Sequence, residues 1–142
     1  MKLKDFYVFK LVILAIIALT LCIGAMGTLF VYIAYKYDTR QNIFAYLICG
    51  AVILGLLVLD VIQIHKIGMM IRALGSDYEI RDCNFVGIKR KNIVETLVVE
   101  DNNENHEAGP IMLYRGYEGV YANSETLRVL KTNDGKYFIL NK

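Results

Sequence analysis

Arg115, Tyr117 and Tyr121 fall at odd-numbered positions of one segment. An extended backbone would present all three on one face, because strand side chains alternate with period two. A guanidinium beside phenol rings suits two tasks at once, pairing with a phosphate and stacking on a purine. The tetrapeptide Lys89-Arg90-Lys91-Asn92 adds a second concentration of positive charge, in a composition that reads as a turn. These are the candidate ligand-binding residues. Two plainer readings compete with that one: an ordinary strand with a core side and a rim, and a charged turn facing anionic lipid head groups.

No catalytic constellation accompanies them. Of the two histidines, His65 stands at the edge of an apolar run, and His106 would need Cys83 beside it to form a nucleophile–base pair. Nothing in the spacing supports that pair. Segment 101–109 resembles a calcium loop until its sixth and twelfth positions are read, where His106 and Met112 replace the Gly and Glu that an EF-hand requires. It reads as a solvated polar loop. The sequence has no metal-ligand cluster, no phosphate-cradling Gly-rich loop and no paired acids, so an enzyme is not expected, nor a cofactor or bound metal. Cys22 and Cys49 lie in apolar runs and Cys83 in the polar half. The three read as small buried hydrophobes rather than a disulfide framework.

The elements that must position these residues are dominated by two apolar runs, residues 11–34 and 43–64. About 20 apolar residues in a helix cross the hydrocarbon core of a bilayer. In lipid the backbone must satisfy its own polar groups, so both runs are expected as helices, over about 9–35 and 42–74. The first is too long for a secretory signal, whose apolar stretch is roughly 7–15 residues. Leu21 before Cys22 is too large for a lipoprotein cleavage site. The fold class expected is therefore a two-helix transmembrane hairpin (residues 1–75) followed by a small β-rich domain (76–142).

Orientation follows from the cations. Lys2, Lys4 and Lys10 precede the first run, and Lys66, Arg72 and Arg81 follow the second, whereas the connecting loop holds Lys36 and Arg40. The positive-inside rule then places both termini in the cytoplasm. Tyr7, Tyr32, Tyr35, Tyr37 and Tyr46 are expected at the interfaces. The formal charge of +2 divides unevenly: residues 1–75 hold seven bases and three acids, residues 76–142 nine bases and eleven acids. The soluble half is net acidic, which argues against long nucleic acid as a partner.

Ile64, Ile67, Ile71 and Leu74 continue beyond the second run at spacings of three and four, and predict a packing stripe that Gly75 ends. Gly24 with Thr28, Ala45 with Cys49, and Ala51 with Gly55 each place two small residues on one helix face, where backbones approach closely. Asp60 is the one acid inside a span and a functional candidate on that ground. It lies about 25 Å along the second run, near the cytoplasmic boundary, where water, Gln63 or an interfacial position could satisfy it.

Beyond residue 77 the pattern is that of short strands, predicted at 78–89, 94–100, 111–122, 126–132 and 136–141. Asn133-Asp134-Gly135 between two of them is a hairpin signal. Gly116 and Gly119 predict bulges or a tight turn within the third. A sheet or partly closed barrel of about five strands results. It is small enough to be marginal alone, so oligomerisation is expected to complete its core.

This layout of two N-terminal membrane helices, cytoplasmic termini and a C-terminal domain without enzyme motifs resembles the small membrane effectors of type III CRISPR defence. The resemblance covers the whole chain as architecture. It implies a cytosolic domain that binds a cyclic oligoadenylate, typically cyclic tetra-adenylate, and that assembles around this symmetric ligand as a homo-oligomer, a tetramer among the possibilities. The helices would then disrupt the inner membrane. On that implication Lys89, Arg90, Lys91 and Arg115 would meet phosphates, and Tyr117 and Tyr121 bases. A structural anchor in a secretion or conjugation complex is the alternative.

Overall fold

The computed structural model describes residues 1–37, 42–113, 115–117 and 126–141. After a 3-10 turn at Leu3–Asp5 come helices α1 (Phe9–Lys36) and α2 (Ile43–Gly75). Strands β1 (Tyr78–Lys91), β2 (Val94–Asp101), β3 (Glu104–Leu113), β4 (Thr126–Thr132) and β5 (Tyr137–Ile139) follow. The expected class, an apolar helix pair and a five-stranded β domain, is what the chain forms.

At 28 and 33 residues, the helices exceed the ~20 needed to cross a bilayer. Only 6% of the most apolar window of α1 and 11% of that of α2 is buried within the protein. A core helix of a soluble protein would be largely covered, so these apolar surfaces await another apolar medium. The helical unit spans Leu11–Ile67. Within it Phe30 meets Tyr46 edge to face at 5.3 Å, and Cys49 is buried. A Cβ placed on Gly24 or Gly55 would meet nothing within 4 Å, so those two small-residue faces are open.

The second compact unit combines Met1–Lys10 with Gly68–Lys142. The division expected after residue 75 is thus crossed twice: the N-terminal segment and the last turns of α2 belong with the barrel. The strands close in the order β1-β2-β3-β5-β4. All pairs are antiparallel except β3 with β5. Two-residue turns set the register. Asn92, with φ 58°, turns Lys91 back against Val94, and Asn102 and Asn103, at φ 54° and 65°, pair Asp101 with Glu104. Asn tolerates this left-handed region better than other side chains, and two such residues make the hairpin turn whose twist matches the strands. Segment 101–109 is therefore a tight turn plus half of β3, and the expectation of a polar loop is corrected. Glu104 and Glu107 of β3 face outward, while Ala108, Pro110 and Met112 alternate inward.

Leu97, Val99, Leu127, Val129 and Phe138 fill the barrel. Phe6, fully buried, joins them. It bridges to Leu140 and packs edge to face on Phe138 at 5.8 Å. Tyr7 N–H donates to the carbonyl of Ile139 (3.1 Å), and Asn141 N–H donates to that of Asp5 (2.7 Å). Tyr7 thus lies in the barrel unit, stacked on Tyr117 at 6.3 Å. The expected stripe on α2 is displaced: Ile64 and Ile71 are exposed, while Gln63, Lys66, Met70 and Ala73 are the buried positions.

Candidate functional site

β1 ends in the basic hairpin. Lys89 pairs with Glu107. Arg90 Nε donates to Glu95 Oε1 at 2.8 Å. Glu95 is fully covered, its Oε2 without a hydrogen-bond partner among the described residues. Glu95 points inward because β2 alternates strictly, burying Glu95, Leu97, Val99 and Asp101. Arg90 thus balances a carboxylate that would otherwise be stranded in the barrel mouth. Lys91 and Asn92 stand exposed at the turn.

The register Lys91–Val94–Leu113 puts the turn containing Arg115 at the same end of the barrel as the Asn92 turn. So Lys89, Arg90, Lys91, Asn92 and Arg115 are brought to one pole. The premise that grouped Arg115 with Tyr117 and Tyr121 on an extended face is overturned. β3 stops at Leu113, and Arg115 adopts φ 66°. Gly116 N–H closes a tight turn on the carbonyl of Leu113 at 2.8 Å. A Cβ on Gly116 would lie 2.6 Å from that of Met112, so the sharp reversal depends on this glycine. Tyr117 then turns into the core, fully buried, its hydroxyl donating to the carbonyl of Pro110. Burial above all, and Tyr7 beside it, push its pKa far up. Its ring is covered on this barrel and offers no face to a base. Tyr121 and Gly119 lie outside the described residues.

At the opposite pole is a polar network that the sequence reading missed. Asp101, 8% exposed, accepts from Tyr137 Oη (2.9 Å), Lys131 Nζ (3.2 Å) and Arg81 Nη1 (3.3 Å). Burial pushes its carboxyl up, but the bonds from Tyr137, Lys131 and Arg81 outweigh this and hold it below the ordinary value. Glu79 binds the far side of Arg81 at 2.6 Å, and His106 stacks on Tyr137 at 4.6 Å. The charges balance locally and lock four strands together, a structural rather than a reactive arrangement. Cys83 is buried in β1, its thiol pushed up first by that burial, unlike an activated nucleophile.

Asp60 lies within α2, with Oδ1 buried and unpartnered among the described residues. Thr20, near which an antiparallel pair would bring it, donates to the carbonyl of Ile16 at 2.8 Å. Among the described residues no group of acids, histidines and cysteines could hold a metal ion. No family model, no curated protein and no solved structure matches the chain.

Proposed function

We propose that this is a membrane-anchored effector whose barrel faces the cytoplasm and binds a cyclic oligoadenylate, cyclic tetra-adenylate in the first instance. Binding assembles several copies, and the apolar helices then disrupt the inner membrane. The observation that carries the reading is the barrel itself. Five strands closed in the order β1-β2-β3-β5-β4 have the layout of oligonucleotide-binding barrels, which take ligand across strands 2 and 3 and at the β1–β2 and β4–β5 loops. This support is an analogy of fold. The basic residues 89–92 occupy the β1–β2 hairpin of that layout. Residues 1–10 and 68–142 forming one unit supports an even number of crossings, hence a hairpin with both ends on one side.

The anchor or scaffold reading draws on a different observation, that Lys89 and Arg90 already have carboxylate partners. The test is binding of fluorescent cyclic tetra-adenylate to the full chain in detergent, with particle mass followed by light scattering. The effector reading expects saturable binding and a rise in mass. A chain that ignores the nucleotide but copurifies with stoichiometric protein partners is a scaffold.

A further inference from the structure

Where the last turns of α2 meet the β4–β5 hairpin, a cleft of about 190 Å³ opens in the barrel unit. Arg72 and Lys136 line it, together with Asp134 and Thr132, over a floor that includes Ala73 and Phe138. Most hydroxyl capacity there is already engaged: Ser76 Oγ donates to the carbonyl of Ala73 at 3.0 Å, and Thr132 Oγ1 accepts from Lys136 N–H at 3.2 Å. Neither Arg72 nor Lys136 has an ion-pair partner among the described residues. This sets them apart from Lys89 and Arg90, whose charges are matched by Glu107 and Glu95.

Two cations from separate elements therefore converge on a concave, half-apolar cleft, opposed by the single carboxylate of Asp134. We infer that this cleft is a phosphodiester site, with Arg72 and Lys136 clasping the phosphate oxygens and the apolar floor taking the adjoining carbon skeleton. Its volume is below the ~300–1,000 Å³ of sites that enclose drug-sized ligands, so it takes one phosphate and its immediate neighbour. Arg72 lies six residues beyond Lys66, about 9 Å along the helix, and an arginine side chain can reach back toward head groups from there. The phosphate therefore comes from an anionic phospholipid or from a soluble phosphodiester. The inference does not depend on the messenger proposed above.

The experiment uses the full chain in detergent and two probes, phosphatidylglycerol retention by native mass spectrometry and cyclic tetra-adenylate binding by anisotropy. R72Q/K136Q is compared with K89Q/K91Q, both checked for unchanged melting. If the double variant does not fold, K136Q alone, on the hairpin, replaces it. Removing charge-assisted bonds is expected to weaken binding by about tenfold. Loss confined to phosphatidylglycerol, relative to phosphatidylcholine, assigns the site to lipid. Loss confined to the nucleotide assigns it to a soluble ligand. Unchanged affinity of R72Q/K136Q for both probes, or a loss of phosphatidylglycerol retention equally large in K89Q/K91Q, overturns the site. A wild-type chain blind to the nucleotide but retaining lipid through Arg72 and Lys136 refutes the messenger reading and keeps the cleft.

Discussion

Tyr117 and Glu95 carry the plainest residue-level consequences. Y117F deletes one buried hydrogen bond, to Pro110, and should destabilise the barrel by about 1 kcal/mol while leaving any ligand affinity unchanged; chemical denaturation and titration together read this. R90A leaves the Glu95 carboxylate buried without its partner. Breaking such a pair destabilises by about 3 kcal/mol where one member is still half-exposed, so the denaturation midpoint should fall well below that of K91A. Asp101 supplies a pH dependence. Its folded pKa is lowered, so its stabilising contribution is complete above the unfolded value of about 4 and is lost as pH falls through the depressed one. Below pH 4 the wild type should lose stability more steeply than D101N, which starts lower at neutral pH; thermal melting from pH 7 to 2 decides. The Asp101 network was illegible in the sequence. Arg81, Lys131 and Tyr137 lie 20 to 36 residues from Asp101, and only the closed register brings them together.

At the scale of elements, the helices and hairpins were legible because their signals are local. Twenty-odd apolar residues need no partner to declare a helix, and Asn133-Asp134-Gly135 declares a turn, which Gly135 makes at φ 76°. The third strand, expected at 111–122 but running Glu104–Leu113, was misplaced by most of its length for the opposite reason. Glu104, Asn105, His106 and Glu107 are polar at every position, which hides the alternation that begins only at Ala108. The N-terminal segment was hidden too, since Phe6 looks like any membrane-flanking aromatic until Leu140 is beside it. F6A opens a cavity at a fully buried ring and should cost about 3–5 kcal/mol. For the same reason residues 76–142 expressed alone should melt well below the barrel in the full chain, a comparison open to calorimetry.

At the scale of the whole molecule, the apolar pair is bracketed by segments of a single unit. Cysteines introduced at Lys2 and at Asn133 should react with a membrane-impermeant thiol reagent from the same face of sealed vesicles. Reaction from opposite faces would exclude a hairpin. Cytoplasmic placement of that face is the further expectation, read by the same reagent on intact cells, where neither site should be labelled.

The bridge between Phe6 and Leu140 also orders events during synthesis. Phe6 is made before both apolar helices and Leu140 after them. The barrel core cannot be completed until translation has passed both helices. By then the segment before α1 and the strands after α2 must lie on the same side of the bilayer. A chain whose segment before α1 ended on the other side would be left with an unfilled hole where a phenyl ring belongs, exposed to quality-control proteases. Correct insertion and a finished core thus become a single condition for survival.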